Sequence, residues 1–336
     1  MKFKILFLHP YPTDQAPSQR FRFEQYYPII KESKNLEFES FSFFSHQSWK
    51  KLYSMNVLQL TWITFIGFLK RFIHLYHSVG AHFVFIHREL TPIGPPIFEW
   101  ILAKVFRKRI IYDFDDAIWL EDPVEKGTIK SKIKWKSKVA KICHWSWKVN
   151  VGNQFLADFA KLYNNNVSLI PSVVNTTCVH NPDLFSKPPS KTVTIGWTGT
   201  HSTLQYLHLI LPTLQKLEKK NNIKILIIAN REPFLPLRTI EFKSWKKETE
   251  IKDMLDLDIG IMPLTNDEWS KGKGGFKLVQ YLSLGIPAVC SPVGINRVLI
   301  KNGETGYTCE TTDQWLKALN YLIENEDERK KMGVKG

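Results

Sequence analysis

The chain has 336 residues, of which 43% are hydrophobic and 13% are aromatic. This length exceeds what one compact core usually organises, and the apolar content excludes an intrinsically disordered protein. The sequence therefore predicts two domains. No stretch reaches the roughly 18 uninterrupted apolar residues of a membrane-spanning helix. The N-terminal segment MKFKILFLHP lacks a small-residue cleavage site, which predicts a first strand and no secretion.

The net charge of the chain is +14, and most of the excess lies in residues 1–190, which carry 25 basic and 15 acidic side chains. Such an excess favours an acidic partner, which is a phosphorylated substrate, a membrane surface or a nucleic acid. The four cysteines lie far apart, which argues against a zinc site or a disulfide framework and favours a reducing cytosol. They are Cys143, Cys178, Cys290 and Cys309.

Apolar runs that read as buried strands alternate with helical patterns along both halves of the chain. The predicted strands are 3–8, 36–43, 82–87, 109–114, 148–152 and 167–170 in the first half, and 192–197, 224–229, 259–262 and 288–290 in the second. The predicted helices are 19–31, 153–163, 204–219, 248–255, 276–284 and 313–325.

A polar, proline-containing stretch at 181–191 separates the two halves. We therefore predict one Rossmann-like domain over 1–185 and a second over 186–336. Successive βα units predict α/β domains with doubly wound parallel sheets that face each other across a cleft. Ligands of such sheets bind at the carboxyl ends of the strands, which predicts an active site between the domains.

A glycine-rich basic loop precedes the helix predicted at 276–284. The loop carries Lys271, Lys273, Gly274 and Gly275, and the helix opens with Phe276 and Lys277. Backbone N–H groups and the helix dipole favour an anion at such a helix start, and Lys277 adds a full charge. The alternative is a loop of solvated lysines before a helix that glycine merely caps.

A second strand-to-helix turn, IGWTGTHSTLQYL from Ile195, contains Gly196 and Gly199, which let backbone approach a ligand closely. It is not the dinucleotide-binding fingerprint, and a tight turn capped by Ser202 or Thr203 is the alternative. If both turns lie at the carboxyl edge of one parallel sheet, they face the two sides of a diphosphate.

Three carboxylates, Asp113, Asp115 and Asp116, lie at the end of the strand predicted at 109–114. Crowded carboxylates repel each other, and they are tolerated where a cation or a catalytic role compensates. We expect at least one of them to be functional. Alternatively, two of them cap the next helix or pair with one of three arginines, which are Arg88, Arg107 and Arg109.

The motifs GWTGTHST, DIGIMPL, GKGGFKLVQYLSLGIPAV, SPVGIN and NGETGY, with RIIYDFDDAIW and VGNQFLA in the first half, resemble a bacterial glycosyltransferase of the GT-B fold. The chain is similar to glycosyltransferase family 4, the group 1 glycosyltransferases, over nearly its whole length. The resemblance implies transfer of a sugar from a nucleotide-sugar donor, held mainly by the second domain, to an acceptor held mainly by the first. It also implies retention at the anomeric carbon, no cofactor and no obligatory metal.

The resemblance further assigns donor-binding residues. It implies that Lys277 contacts the donor diphosphate. The backbone around Gly274, Gly275 and Phe276, beside Lys273, is expected to cradle phosphate or sugar. The turn from Gly196 through Gly199 to Thr200 is expected to face the other side of the diphosphate. At the position of Gln280, relatives usually carry a Glu that binds the nucleotide ribose. They carry another Glu at the position of Gly272. Gln280 can still hydrogen-bond ribose hydroxyls, but without the strength that charge gives.

Many relatives carry His where this chain has Asp115. We expect Asp115 or Asp116 to orient the acceptor or to take its proton, with Asp116 pointing away from Asp115 if the backbone is still extended. The chain ends at ERKKMGVKG, where relatives continue into a helix that crosses back onto the first domain. That crossover helix is expected to be absent here.

Two basic, aromatic regions point to a membrane surface. Residues 57–77 are too short to span a bilayer but suit its interface, and residues 130–148 hold seven lysines and three tryptophans. The alternatives are a buried core helix for the first and a solvated helix face for the second. No recognition motif supports nucleic acid.

The sequence thus predicts a cytoplasmic glycosyltransferase, peripheral on the inner face of the cytoplasmic membrane, that acts on a cell-surface polysaccharide or a lipid-linked acceptor. Its predicted partners are a nucleotide-sugar donor, a glycan or lipid-linked acceptor and an anionic membrane surface. Two alternatives stay open: a catalytically impaired nucleotide- or sugar-binding subunit, and a nucleotide-sugar epimerase of the same fold.

Overall fold

The computed structural model describes residues 2–121, 127–185 and 192–336. The chain divides into two compact units, Met1–Ser172 with Gly272–Gly274, and Val173–Lys271 with Gly275–Gly336. The domain boundary predicted between residues 185 and 186 adjoins 186–191, which lie outside the described residues, so it stays a prediction. Each unit is built around its own sheet.

The first unit contains a six-stranded parallel sheet in the order β2-β1-β3-β4-β5-β6. Its strands are β1 Phe3–His9, β2 Leu36–Ser42, β3 Phe83–His87, β4 Arg109–Phe114, β5 Lys148–Val151 and β6 Val167–Leu169. The strand order reverses between β1 and β3, and such a switch point is where open α/β sheets bind ligands. The carboxyl ends of β1 and β3 are both histidines, His9 and His87.

The helices of the first unit are α1 Pro17–Arg22, α2 Tyr27–Glu32, α3 His46–Lys51, α4 Val57–Ser78, α5 Ile97–Trp100, α6 Ile129–Ile133, α7 Lys138–Trp145 and α8 Gln154–Lys161. The single helix predicted at 19–31 is two helices joined by a 3-10 turn, Glu24–Tyr26. Pro28 lies in the first turn of α2, where its missing N–H costs no helical hydrogen bond, so the sequence restarts a helix there.

The second unit contains another six-stranded parallel sheet, in the order β12-β11-β10-β7-β8-β9. Its strands are β7 Val193–Gly199, β8 Ile223–Ala229, β9 Ile240–Ser244, β10 Ile259–Met262, β11 Ala288–Cys290 and β12 Gly306–Thr308. Read from β9, this is the 3-2-1-4-5-6 order of dinucleotide-binding sheets, with its switch point between β7 and β10. The prediction of two doubly wound parallel sheets is confirmed.

The helices of the second unit are α9 Leu211–Lys220, α10 Glu250–Leu255, α11 Glu268–Lys271, α12 Phe276–Ser283, α13 Asn296–Leu299, α14 Thr312–Glu324 and α15 Glu326–Lys335. The helix predicted at 204–219 opens instead as 3-10 turns, His201–Ile210, and becomes α-helical at α9. Pro212 explains the change, because it occupies the first turn of α9 and has no N–H to donate to the preceding turn.

Helix α4 buries three polar side chains and exposes a row of apolar ones. Arg71, His74 and Ser78 are buried, and Arg71 donates hydrogen bonds to the carbonyl oxygens of His9 and Leu90. Eight large apolar side chains of the same helix are exposed: Val57, Leu58, Trp62, Phe65, Leu69, Phe72, Ile73 and Tyr76. A helix buried in the core would cover these side chains, so that alternative for residues 57–77 is wrong. Within the described ranges, no helix combines the length and apolar content needed to cross a membrane.

Candidate functional site

Lys277 and Trp197 meet at the carboxyl end of β7 in the second unit. The Lys277 ammonium lies 5.2 Å from the centroid of the buried Trp197 ring, a cation–π contact. A Cβ on Gly199 would lie 2.9 Å from Lys277 Cε, so the side chain passes directly beside that glycine. The two turns selected from the sequence, at Gly199 and at the start of α12, are therefore neighbours at the switch point of the sheet.

Gly275 caps helix α12 in a conformation that favours glycine. Its φ is 65°, and a Cβ there would lie 2.5 Å from Leu299 Cδ1. Gly275 provides no side-chain hydrogen bond to the first turn. The half-buried Phe276 and Lys277 follow it directly, so the loop delivers a positive side chain at the positive end of the helix dipole.

The other glycine of the β7 turn has a packing role. Gly196 lies inside β7, and a Cβ there would lie 1.9 Å from Leu257 Cδ2. Close packing against Leu257 accounts for this glycine, and its contact with a ligand stays a prediction. Thr200, by contrast, is exposed at the end of the strand, where its Oγ1 lies 2.9 Å from Ser202 Oγ.

Gln280 is buried, with 3% of its surface exposed. Its Nε2 donates to Glu250 Oε1 at 3.2 Å and lies 3.3 Å from His180 Nε2. Glu250 and His180 are buried as well. The side chain expected to contact ribose is thus held by a carboxylate on α10 that the sequence analysis did not single out.

Lys273 and Gly274, both predicted to bind the donor, belong with Gly272 to the first unit. In that unit Asn153 Nδ2 donates to the carbonyl oxygens of Gly272, at 3.1 Å, and Lys273, at 3.0 Å. A Cβ on Gly272 would lie 2.4 Å from Ala117 Cβ. The position where relatives carry Glu therefore has no space for a side chain without movement of Ala117.

The acidic strand end of the first unit contains a buried ion pair. Asp113 accepts hydrogen bonds from the Arg22 guanidinium and lies 2.8 Å, through Oδ2, from His87 Nδ1. Burial by itself raises the pKa of Asp113, but Arg22 and His87 lower it more, so the pKa lies below its ordinary value and the carboxylate is ionised. Arg22 is not among the three arginines weighed from the sequence, but one of those, Arg88, does pair with the other two aspartates.

Asp115 and Asp116 share one arginine. Arg88 Nη1 lies 3.1 Å from Asp116 Oδ2 and 3.9 Å from Asp115 Oδ1. Asp116 was expected to point away from Asp115 only if the backbone stayed extended, and this condition is not met, because the chain bends after Phe114. Burial raises the pKa of Asp116, but Arg88 and Lys273 lower it more, so it lies below its ordinary value. Arg88 has a φ of 62°, an uncommon conformation for a residue with a Cβ.

Ser18 joins Asp115 to His87. The Ser18 hydroxyl lies 2.7 Å from Asp115 Oδ1 and 2.8 Å from His87 Nε2. Sequence reasoning missed both Ser18 and His87. One signal was available in the sequence. His87 is the last residue of a buried strand, just as the aspartates lie at the end of the neighbouring strand β4.

Comparison with known families decides the class of the second unit. Residues 187–336 match the family model described as glycosyl transferases group 1. The second half of this chain is a group 1 glycosyltransferase domain. No curated protein matches the chain.

Solved structures share the fold over nearly the whole chain. Sucrose-phosphate synthase from Thermosynechococcus elongatus is similar with a TM-score of 0.70 and 10% identity, over 99% of this chain and 93% of that chain. HepE from Anabaena, in complex with UDP-glucose, is similar with a TM-score of 0.66 and 12% identity, over 99% and 93%. A putative UDP-N-acetylglucosamine 2-epimerase from Listeria monocytogenes is similar with a TM-score of 0.59 and 8% identity, over 100% and 92%. These likenesses show the fold alone.

The family match and the fold confirm three predictions: the resemblance to group 1 glycosyltransferases, the GT-B fold, and the enzyme class, glycosyltransferase. The roles assigned to individual residues of this glycosyltransferase stay predictions. Lys277, Gly199 and Gly275 are brought together in the second unit, and Asp115, Asp116 and Lys273 lie in the first.

Proposed function

We propose that this glycosyltransferase transfers a sugar, with retention at the anomeric carbon, from a nucleoside-diphosphate sugar to a glycan or lipid-linked acceptor. The observation that carries the proposal is the Lys277 ammonium beside Gly199 at the switch point of the second sheet. A diphosphate is the ligand chemistry that suits a lysine in the first turn of a helix. A UDP-sugar is the first donor to test, because HepE binds UDP-glucose.

Transfer requires that negative charge on the departing nucleoside diphosphate be stabilised. The Lys277 ammonium and the positive end of the α12 dipole act on that charge as it builds up. The interaction is stronger in the transition state than in the ground state, which is the condition for accelerating the reaction. The acceptor hydroxyl attacks from the face that the leaving group departs from, which gives retention.

In this proposal the first unit holds the acceptor. Asp115 is half-buried at the end of β4, where a carboxylate can hold an acceptor hydroxyl and take its proton. Asp116 is tied more closely to Arg88, at 3.1 Å, which reduces its basicity. Asp115 is therefore the preferred base.

We also propose that helix α4 lies in the surface of an anionic membrane. Its eight exposed apolar side chains form the outward face of a helix whose Arg71 and His74 are turned inward. Trp62 and Tyr76 lie near the two ends of this face, as aromatic side chains do at a bilayer interface. The positive charge of the chain attracts anionic lipids.

A pocket of about 210 Å³ beside α4 supports the same surface. Phe43, Trp62 and Ile66 line it on the apolar side, and its polar lining comprises the side chains of Ser45, Ser48 and Lys70. One cation and two hydroxyl groups suit an anionic lipid headgroup at this surface. The proposed location is thus the inner face of the cytoplasmic membrane, and the proposed acceptor is a lipid-linked or cell-surface glycan.

The buried state of Gln280 favours one alternative, a nucleotide-sugar-binding subunit with impaired turnover, because its amide is bonded to Glu250 instead of facing solvent. Thermal-shift screening of nucleotide sugars, followed by incubation of the stabilising donor with membrane lipid extract, tests the proposal. Release of nucleoside diphosphate together with a glycosylated lipid of unchanged anomeric configuration supports it. Binding without turnover supports the alternative, and a changed free sugar nucleotide without acceptor indicates an epimerase.

A further inference from the structure

Four polar side chains of the first unit form one hydrogen-bonded chain. Asp113 Oδ2 lies 2.8 Å from His87 Nδ1, His87 Nε2 lies 2.8 Å from Ser18 Oγ, and Ser18 Oγ lies 2.7 Å from Asp115 Oδ1. His87 and Asp113 are buried, whereas Ser18 and Asp115 are half-buried. The chain of contacts therefore runs from the interior of the unit to the residue proposed as the acceptor's base.

The number of hydrogens shared by these three contacts depends on the protonation of the four side chains. Asp113 is ionised beside Arg22, so the hydrogen between Asp113 and His87 is on Nδ1. His87 Nε2 is then an acceptor, and the one hydroxyl hydrogen of Ser18 can point to Nε2 or to Asp115, but not to both. With His87 neutral and Asp115 ionised, only two hydrogens are available for the three contacts, one on His87 Nδ1 and one on the Ser18 hydroxyl. One of the three contacts therefore lacks a hydrogen.

One added proton completes all three hydrogen bonds. On Asp115 Oδ1 it is donated to Ser18 Oγ, and the Ser18 hydroxyl then donates to His87 Nε2. On His87 Nε2 it is donated to Ser18 Oγ, and the Ser18 hydroxyl then donates to Asp115 Oδ1. The two forms differ only in the position of hydrogens along contacts of 2.7 and 2.8 Å, so no heavy atom needs to move.

We propose that Asp115, Ser18 and His87 form a proton relay that takes up the hydrogen lost by the acceptor hydroxyl. The inference rests on the proposed function. During transfer the acceptor O–H bond breaks, and its electron pair forms the new bond to the anomeric carbon. The bond from that carbon to the diphosphate oxygen breaks with its pair leaving on the nucleoside diphosphate. The proton forms an O–H bond on Asp115 or, through Ser18, an N–H bond on His87.

Charged groups on several elements act on the relay. Arg22 faces it from α1, His9 from β1, Arg88 from the residue after β3, Asp116 from the end of β4, and Lys273 from the Gly272–Gly274 segment. A substitution of Asp115 therefore changes the local field as well as the relay. Asp116→Asn removes the same charge one residue away, outside the relay, and is the matched control.

The test measures the protonation of His87 by ¹⁵N NMR as pH is varied, in protein with labelled histidines and without substrate. The signal of His87 is identified by its absence from the His87→Gln variant. In the relay, Asp115→Asn moves the midpoint of His87 protonation clearly more than Asp116→Asn does, and this excess disappears in a Ser18→Ala background. An Asp115→Asn shift of equal size with and without Ser18 would show that charge alone acts through space, and would overturn the relay.

A kinetic arm separates the relay from the proposed function. Ser18→Ala is expected to lower kcat about tenfold, less than the 10²- to 10⁴-fold supplied by a general base, while KM for the donor is unchanged. The pH dependence of kcat shifts in Ser18→Ala, which loss of packing alone would not cause. If no donor and acceptor pair reacts, the proposed function fails while the NMR result still decides whether the relay exists.

Discussion

The Lys277 ammonium lies over the ring of Trp197, 5.2 Å from its centroid, so the first turn of α12 and the end of β7 meet through a cation and an aromatic face. This contact holds the lysine at the edge of the sheet before any ligand arrives. A side chain held in place loses less conformational freedom when it binds, which strengthens its contribution to affinity.

Replacing Lys277 by alanine is expected to weaken binding of the nucleoside diphosphate. Loss of one charge-assisted contact costs about 1.5 to 3 kcal/mol, which corresponds to roughly a 10- to 150-fold higher Kd. Titration calorimetry with the nucleoside diphosphate of the stabilising donor measures it. Lys317→Ala, on the exposed face of α14, is the control and should bind like the parent protein. An unchanged Kd for Lys277→Ala would remove this lysine from the donor site.

Replacing Asp115 by asparagine is expected to lower kcat for transfer by roughly 10²- to 10⁴-fold, because the side chain keeps its shape but no longer accepts a proton. Asp116→Asn should lower kcat less, since Asp116 is already paired with Arg88 at 3.1 Å. Donor affinity should be unchanged in both variants, as measured by calorimetry. A weakened donor in Asp115→Asn, or loss of its cooperative thermal unfolding, would contradict the catalytic assignment.

The double substitution of Trp62 and Phe65 by serine is expected to release the protein from anionic vesicles. Burial of a large apolar side chain contributes about 1.5 to 3 kcal/mol, so co-sedimentation should fall at least tenfold at limiting lipid. Phe234→Ser, in the second unit, removes a side chain that is 96% exposed and serves as the control. Binding should also weaken in high salt, because salt screens surface charge. Equal binding to neutral and anionic vesicles would argue against the anionic surface.

The free energy of unfolding should fall in mild acid because of His9. Burial lowers the pKa of His9 to about 3, and its Nδ1 lies 2.7 Å from the carbonyl oxygen of Tyr11. The unfolded chain takes up a proton below about pH 6.5, whereas the folded chain does so only near pH 3. Stability is therefore complete above about pH 6.5 and decreases as pH falls through this window, by at most about 1.4 kcal/mol per pH unit.

Urea unfolding at pH 7 and pH 5 measures this effect. His9→Gln should reduce the loss of stability between the two values, and His144→Gln, exposed on α7, should leave it unchanged. His74, whose pKa burial also lowers to about 3, supplies part of the remaining slope. The same slope in His9→Gln and in the parent protein would show that His9 does not titrate as argued.

Strands with continuous apolar runs could be predicted from the sequence within one or two residues. Strands β4, β10 and β11 have the predicted bounds, because each is mostly buried and is followed directly by a polar or proline residue. Strands β9 and β12 were missed: β9 is a half-buried edge strand with alternating polar residues, and β12 has only three residues. An edge position weakens the apolar pattern from which strands are read.

The residues of the proposed donor side are close together in the sequence, whereas those of the proposed acceptor side are not. Lys277 and Gly275 lie within one loop and helix start, so local spacing carries the signal. Ser18 lies 97 residues from Asp115, and His87 lies 26 residues from Asp113. Only the pairing of parallel strands brings them together, and no local motif encodes it.

The outward apolar face of α4 also determines how the protein behaves in plain buffer. Contiguous apolar surface of this kind drives association when nothing covers it. Without lipid, we expect the sedimentation coefficient to rise with protein concentration and to return to the monomer value in mild detergent. The oligomeric state of a purified sample then depends on whether lipid or detergent is present. Activity should therefore be measured in nanodiscs or detergent micelles.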